Sequence, residues 1–340
     1  MIREEADFIL PENAYGEEAA YTEILNDTLC QMMDADESVI LFGEGINDKV
    51  ALFGVTTGLA GKYGEERVFD VPLSESALMG IAAGAALEGL RPVFFHNRPD
   101  FILLAMDQFA NHATKYRYMS GGIHRVPMVI WAAIGKGWGA AAQHSQSLQS
   151  VFAHFPGCKV VMPTTPFDGK GLLVSALMDE MPVVILEHRE LLRKSGVVPK
   201  ELYRIGMGKG VLRRKGDDFT VVADSVMVDE AMKAAGILED KGISVDVIDI
   251  RSIKPWDKEI VLRSVKKTGR LLVADTAWHM CNFGAEVIAT VYEEAFSHMR
   301  APAIRVDYPD IAVPAGWTLE EEFYTGYGKI VEKIMESVKI

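Results

Sequence analysis

Titratable side chains occur in loops that follow short apolar stretches of this sequence. These loops are residues 43–45, 73–75, 96–98 and 135–146, and the side chains of interest are Glu75, His96, Arg98 and His144. If the apolar stretches are parallel strands, their carboxyl ends meet at one edge of a sheet, where α/β proteins bind ligands. A carboxylate, imidazoles and a guanidinium at such an edge could transfer protons or stabilise charge. Two simpler interpretations stay open: Glu75 stabilises its own helix, and His144 is a surface-loop histidine.

Glu75 begins the most informative stretch. Residues 68–71 are typical of a short strand that ends at Pro72, Ser74 is a good N-cap, and a helix is predicted from Glu75 to Glu88, with Gly89 as its stop. The helix dipole favours a negative charge at Glu75, whereas the apolar neighbours disfavour one. A carboxyl group under both influences can have a shifted pKa, and such groups concentrate at active sites.

The rest of the chain alternates apolar strands with helices, which predicts the α/β class. The strands are continuously apolar, a pattern that indicates parallel sheets covered on both faces. A long helix is expected over residues 101–118. We predict an N-terminal arm (1–17), a first doubly wound domain (18–190), a polar linker (191–218) and a second, smaller doubly wound domain (219–340).

Composition excludes several classes of function. The 340 residues are 49% hydrophobic and carry a formal net charge of −13, which argues against nucleic acids and anionic membranes as partners. The three cysteines have no disulfide or zinc spacing and are expected to be free thiols in a reducing cytosol. No apolar run could span a bilayer, no metal-ligand cluster is present, and the cytoplasm is the expected location.

Several segments, in the same order, resemble the beta subunit of the thiamine-diphosphate-dependent 2-oxoacid dehydrogenases, of the pyruvate, branched-chain 2-oxoacid and acetoin type. The similarity covers about residues 20–335. Its main segments are Arg67-Val-Phe-Asp-Val-Pro-Leu-Ser-Glu75, Gly89-Leu-Arg-Pro-Val, Asp107-Gln108, Lys115-Tyr-Arg-Tyr-Met-Ser-Gly-Gly122, Ala142-Gln-His-Ser-Gln146, Pro156-Gly-Cys-Lys-Val-Val-Met-Pro163 and Asp249-Ile-Arg-Ser-Ile-Lys-Pro255. The resemblance implies a pyrimidine-binding domain followed by a transketolase C-terminal-like domain.

The resemblance also assigns roles to residues. Glu75 would hydrogen-bond the pyrimidine ring nitrogen of the cofactor and favour the tautomer that generates the ylid. His144 would lie on the substrate side and act in reductive acylation of a lipoyl group. The cofactor-binding residues would be Glu44, Leu73, Glu75, Arg98 and Phe101, and the catalytic residues Glu75 and His144. The enzyme would decarboxylate a 2-oxoacid and pass the acyl group to a lipoyl carrier.

The resemblance implies a partner as well. The family holds the diphosphate and its magnesium through a GDG…NN motif on an alpha subunit, and this chain has no GDG. The cofactor would therefore be shared with an alpha subunit in an α2β2 heterotetramer, with residues 80–86 as a close-packing surface. A lipoyl acyltransferase core is a further possible partner, and a monovalent cation near Asp179 is an open question.

Departures from the family pattern centre on one loop. Where the family usually has Glu-x-Gln-Phe-Ala-Asp-Phe, this chain has Phe95-His-Asn-Arg98-Pro-Asp-Phe101. A basic Arg98 could bind a second anionic group on the substrate or the acceptor, which argues against simple pyruvate and predicts a specialised, still thiamine-dependent member, with or without a lipoyl acceptor. Two alternatives remain: half of a split transketolase-like transferase that passes the activated aldehyde to an aldehyde or sugar, and a catalytically silent scaffold subunit.

Overall fold

The computed structural model describes residues 2–4, 17–48, 51–137 and 139–338. The chain forms two compact units, the first made of residues 1–135 and 151–207 and the second of residues 136–150 and 208–340. None of the helices in the described part of the chain has the length and hydropathy that crossing a membrane requires. The cysteines, Cys30, Cys158 and Cys281, are free thiols, as the sequence predicts.

The first unit alternates strands and helices. Its strands are β1 (Arg3–Glu4), β2 (Glu17–Ala20), β3 (Val39–Gly43), β4 (Val68–Asp70), β5 (Arg91–His96), β6 (Val129–Ile134), β7 (Lys159–Val161), β8 (Val183–His188), β9 (Ser195–Val198) and β10 (Tyr203–Arg204). Its helices are α1 (Tyr21–Ala35), α2 (Leu59–Tyr63), α3 (Glu75–Leu87), α4 (Pro99–Ile102), α5 (Tyr116–Met119), α6 (Gln149–His154) and α7 (Pro166–Leu177). The first two residues of α6 belong to the 136–150 segment of the second unit.

The main sheet of the first unit has the strand order β4-β3-β5-β6-β8-β7. Neighbouring strands in this order are parallel throughout. The residues of β6 and β8 are buried along their whole length, because helices cover both faces of the sheet. The predicted parallel, doubly wound arrangement is therefore confirmed for this unit.

Three local expectations differ from the structure. The single helix expected over 101–118 is instead α4, a 3₁₀ turn (Leu103–Ala105), a π-helical segment (Gln108–Ala113) and α5. Ser74 precedes α3 but makes no capping hydrogen bond with its side chain. The stretch 191–218, expected to be a linker, contains β9, β10 and a third strand over Val211–Arg214. Strands β9 and β10 pair with β2 and β1, which are distant in sequence, so no local pattern could reveal them.

The predicted N-terminal arm lies mostly outside the described residues. Its described part, residues 2–4 and 17, contributes β1 and the first residue of β2. Residues 5–16 are not among those that the structure describes.

The second unit is smaller. Its strands are β11 (Val211–Arg214), β12 (Phe219–Ala223), β13 (Val245–Asp249), β14 (Ser252–Lys254), β15 (Leu271–Trp278) and β16 (Ile304–Tyr308). Its remaining helices are α8 (Val226–Glu239), α9 (Lys258–Thr268), α10 (Phe283–Ala295), α11 (Trp317–Phe323) and α12 (Tyr327–Val338). The sheet order is β11-β13-β12-β15-β16, and only the edge strand β11 is antiparallel to its neighbour.

Candidate functional site

The first-unit site lies where the winding direction of the sheet reverses. The chain passes from β3 outward to β4 and then returns to the other side of β3 to form β5. This reversal leaves a crevice beyond the carboxyl ends of β3 and β5, the usual ligand position in doubly wound sheets. Gly43 permits the close approach of the two strands, since a Cβ atom at this position would lie 2.5 Å from the Phe95 carbonyl oxygen.

Glu75 is the first residue of α3, and its side chain is only 8% exposed. Its carboxylate makes no hydrogen bond or ion pair with any residue that the structure describes. The acceptor oxygens of this buried carboxyl group therefore remain available at the N-terminal end of the helix. Glu75 can therefore accept a hydrogen bond from a ligand. The neighbouring Leu73 is apolar and 76% exposed.

Glu44 follows β3 and is half-buried. Burial raises the pKa of the Glu44 carboxyl group, and the nearby carboxylates of Glu75 and Asp70 raise it further. Asp70 itself accepts hydrogen bonds from the backbone N–H groups of Gly45 (2.8 Å) and Val71 (2.9 Å). Three carboxyl groups therefore influence one another at this edge, which favours retention of a proton on Glu44.

His96 ends β5 and is 4% exposed. Burial lowers the pKa of its imidazole to about 3, so the ring is neutral at physiological pH. Its Nε2 atom is buried and has no hydrogen-bond partner among the described residues, while the ring centroid lies 4.0 Å from that of Phe94. A neutral imidazole with an open nitrogen can donate or accept one hydrogen bond, but it cannot act as a cationic acid here.

Arg98 reaches the same crevice through Asn97. The Asn97 side-chain amide donates to the Glu44 carbonyl oxygen (3.4 Å), and Nη1 of Arg98 donates to the Asn97 carbonyl oxygen. The Arg98 guanidinium lies 5.7 Å from the ring centroid of Phe53, and its buried Nε has no hydrogen-bond partner among the described residues. Burial lowers the pKa of Arg98, against the opposing effect of Asp100. The guanidinium thus keeps a donor for a ligand.

The structure brings together most of the predicted site residues. Glu44, His96 and Arg98 lie at the carboxyl ends of the neighbouring strands β3 and β5, Glu75 begins the helix that follows β4, and Phe101 is half-buried in α4.

His144 belongs to the second unit. It is exposed on the loop of residues 139–148, where its backbone N–H donates to the Ala141 carbonyl oxygen (3.3 Å).

The sequence analysis did not identify Asp70 and Asn97 as site residues. Both are polar residues at strand ends, so the same rule that selected Glu75 and His96 could have found them. Gln149 was also missed, because its partner Asp275 is 126 residues away along the chain. No local pattern reports such a contact.

The described residues contain no group of three or more His, Cys, Asp or Glu side chains that could hold a metal ion. Asp179, where a monovalent cation was considered, forms an ion pair with the Lys159 ammonium and accepts a hydrogen bond from the Met181 N–H (3.0 Å). Neither observation supports a cation site at this carboxylate.

Each half of the chain matches a known protein family. The pyrimidine-binding domain of transketolase matches residues 17–195, and the transketolase C-terminal domain matches residues 208–330. The structure is similar to that of a protein described as "Split gene transketolase, inactive beta4 tetramer". The two structures superpose with a TM-score of 0.75 at 23% sequence identity, and the match covers 94% of this chain and 98% of that one. At this identity the similarity supports the fold alone.

Curated relatives are more similar in sequence. The acetoin:2,6-dichlorophenolindophenol oxidoreductase subunit beta of Cupriavidus necator is 41% identical over 325 residues, covering 93% of this chain and 96% of the relative. The pyruvate dehydrogenase E1 component subunit beta of Acholeplasma laidlawii is 43% identical, covering 86% of this chain and 90% of the relative. The 2-oxoisovalerate dehydrogenase subunit beta of Bacillus subtilis is 38% identical, covering 93% and 98%.

Proposed function

This chain belongs to the family of E1 beta subunits of the 2-oxoacid dehydrogenases, and we propose that it works as the beta subunit of a thiamine-diphosphate-dependent enzyme. The enzyme would decarboxylate a 2-oxoacid and pass the acyl group to a lipoyl carrier. One observation carries this proposal: Glu75 is buried at the first turn of α3, yet its carboxylate is not used within the described chain.

The first-unit crevice fits the pyrimidine end of the cofactor. Glu75 would hydrogen-bond the pyrimidine ring nitrogen and share a proton with it, because no described residue occupies its carboxylate. The buried Nε2 of His96 and Nε of Arg98 offer further polar contacts, and Leu73 offers an apolar one. When bound, the cofactor supplies a carbon nucleophile and an electron sink. Glu44 and Phe101 complete the proposed set.

His144 is proposed as the second catalytic residue. It is exposed on its loop, where it can reach an incoming acyl acceptor. An imidazole can both donate and accept a proton, as proton transfer to a lipoyl group requires.

The diphosphate and magnesium need a second subunit. The sequence has no GDG motif, so we propose that an alpha subunit holds both, within an α2β2 assembly. The first domain, residues 18–190, would bind the pyrimidine. The second, residues 219–340, would serve in assembly and in docking to a lipoyl acyltransferase core. We place the assembly in the cytoplasm.

Thiamine-diphosphate binding measured by calorimetry tests the proposal. The measurement uses magnesium, first with this chain alone and then with the alpha-type protein encoded beside it. We expect binding only in the mixture, and weaker binding by the Glu75→Gln variant, which cannot hold the ring-nitrogen proton. Tight binding to this chain alone would contradict the shared site, and no binding in either sample would favour the scaffold alternative.

We further propose that the substrate or acceptor carries a second anionic group. The Arg98 guanidinium is partly buried; the Asp100 carboxylate acts on it electrostatically, but no ion pair joins it to a carboxylate of the described residues. Removing an arginine from water is costly unless an anion or hydrogen-bond acceptors compensate. An anionic oxygen of a ligand would supply that compensation at the end of β5.

A further inference from the structure

The second sheet has its own crevice, and buried side chains fill it. The chain passes from β12 to β13 on one side and then returns to the other side of β12 to form β15. The carboxyl ends of β12 and β15 therefore flank the position where a doubly wound domain would bind a ligand. Asp224 follows β12, Asp275 lies within β15, and each is 1% exposed.

Asp275 is surrounded by donors. Its Oδ1 accepts hydrogen bonds from the side-chain amide of Gln149 (2.9 Å) and from the backbone N–H of Ala277 (3.1 Å). Its Oδ2 accepts from the N–H of Gly284 (2.9 Å), in the first turn of α10. Burial raises the pKa of Asp275, whereas the hydrogen bonds from the Gly284 N–H and the Gln149 amide lower it and so oppose the effect of burial.

Asp224 has the opposite environment. Its Oδ1 accepts a hydrogen bond from the backbone N–H of Thr276 (3.1 Å), and its Oδ2 accepts none from the described residues. Burial raises the pKa of Asp224 far above its usual range, and the adjacent Asp275 raises it further. Asp224 is thus the protonated member of the pair, and its hydroxyl can donate to the Asp275 carboxylate.

Gln149 connects this pair to the loop of residues 139–148, which we call the His144 loop. The Gln149 side chain is fully buried, and its amide donates to Thr276 Oγ1 (3.2 Å) as well as to Asp275. At the other end of the segment, the Gly137 N–H donates to Glu320 Oε1 (3.2 Å). The Lys136 ammonium lies 5.7 Å from the ring centroid of Tyr324. The loop is therefore held on the second unit at both ends.

We propose that Gln149, Asp224 and Asp275 are positioning residues that fix the His144 loop on the second unit. The role assigned to them rests on the proposed function of His144. A neutral amide is favoured at position 149 because its N–H group donates a hydrogen bond to the Asp275 carboxylate. A glutamate at position 149 would bring a third carboxyl group into a buried pair. The ligand crevice of the second sheet thus serves as the anchor for a catalytic loop.

Hydrogen–deuterium exchange of the full chain tests the anchor without any activity measurement. Gln149→Leu keeps the side-chain volume but cannot donate a hydrogen bond. We expect amides of residues 139–148 to exchange about tenfold faster, as the loss of one hydrogen bond to a charged group implies. Gln31→Leu is the matched control. It removes two side-chain hydrogen bonds of a first-unit glutamine and should leave exchange in the His144 loop unchanged.

Kinetics of the complex with the alpha subunit test the link to His144. We expect Gln149→Leu to lower the rate of transfer to a lipoyl acceptor about tenfold, with thiamine-diphosphate affinity unchanged. Combined with His144→Asn, it should cause no further loss, because Gln149 acts through His144.

Unchanged exchange in the Gln149→Leu chain, or additive losses in the double variant, would overturn the inference. If Gln149→Leu does not fold, Thr276→Val removes the second acceptor with little change of shape and should accelerate loop exchange by a smaller factor. Equal exchange in Thr276→Val and wild type would then overturn it. Absence of thiamine-diphosphate binding would contradict the proposed function but not the anchor, because the exchange measurement does not require the cofactor to bind.

Discussion

The side chains of the first-unit crevice differ in their chemistry. His96 is neutral because burial lowers its pKa to about 3, whereas Glu75 is a buried carboxyl group at the first turn of α3. Arg98 remains a cation although burial lowers its pKa, because an arginine pKa starts far above neutrality. The crevice therefore presents a carboxylate, a neutral imidazole and a guanidinium, which together can orient a polar ligand.

Replacing Arg98 by alanine tests its role in substrate choice. With the alpha subunit present, we expect kcat/KM for a 2-oxoacid with a second carboxylate to fall about 10- to 100-fold, the range for a hydrogen bond to a charged group. A 2-oxoacid with an apolar side chain should change by less than about threefold, because it makes no such bond. Arg117→Ala, at an exposed arginine of α5, is the control. An unchanged substrate profile would refute the proposed recognition.

At the scale of elements, a buried hydrogen bond connects α1 to β8. The Tyr21 hydroxyl donates to Glu187 Oε2 (2.9 Å), and both side chains are almost completely buried. Burial raises the pKa of Glu187 to about 8, with Asp168 raising it and the Tyr21 hydrogen bond opposing the rise. The native state therefore keeps a proton on Glu187 at neutral pH.

This proton makes stability depend on pH. Between about pH 4.5 and pH 8 the native chain holds the Glu187 proton and the unfolded chain releases it, so this group's contribution to stability falls as pH rises. The slope is at most about 1.4 kcal/mol per pH unit. The Glu187→Gln side chain stays neutral and can still accept the hydrogen bond from Tyr21. We therefore expect this variant to lose less free energy of unfolding than wild type between pH 6 and pH 8.

Urea unfolding of the full chain at several pH values measures this slope. Glu66→Gln, at an exposed glutamate of the same unit, should keep the wild-type slope. A Glu187→Gln chain that loses stability with pH as steeply as wild type would show that Glu187 is already ionised in the native state.

At the scale of the whole molecule, one face of α3, which includes Ile81 and Gly84, is not covered by other residues of the described chain. Ile81 is 59% exposed on this helix, and a Cβ atom added at Gly84 would have no neighbour within 4 Å. Small residues along a helix allow another backbone to approach closely, which supports the proposed subunit contact over residues 80–86. The apolar Leu104 is also 64% exposed. Exposed apolar side chains of this size are typical of protein interfaces.

Gly84→Arg separates folding from assembly. The isolated chain should be as stable as wild type or more stable, because arginine favours a helix over glycine by up to about 1 kcal/mol and no described residue obstructs it. Association with the alpha subunit should weaken at least about tenfold, because a long charged side chain would enter a close contact. Light scattering of the mixture, expected to give an α2β2 mass for wild type, measures this loss.

Gly236→Arg provides the matched control for the assembly measurement. Gly236 lies within α8 and likewise has no atom within 4 Å of an added Cβ. A wild-type mass for the Gly84→Arg mixture would exclude this face of α3 as the contact.

The amino-acid sequence by itself determined the α/β class, the parallel strand pattern and the position of the helix that begins at Glu75. These features depend on local properties: continuous apolar runs, a proline stop, and a carboxyl group at the start of a Gly/Ala-rich helix. The position of α3, predicted as residues 75–88 and observed as Glu75–Leu87, follows from them. Family motifs then assigned roles to Glu75 and His144, which remain proposals.

Only the tertiary structure decided which distant residues meet. The pairing of β9 with β2, the break of the helix expected over 101–118 and the contact of Gln149 with Asp275 all join or separate residues through packing. The neutral state of His96 depends in the same way on burial that β5 alone does not specify. Local patterns carry no information on such contacts, because hydrogen bonds and desolvation depend on what the folded chain brings near each side chain.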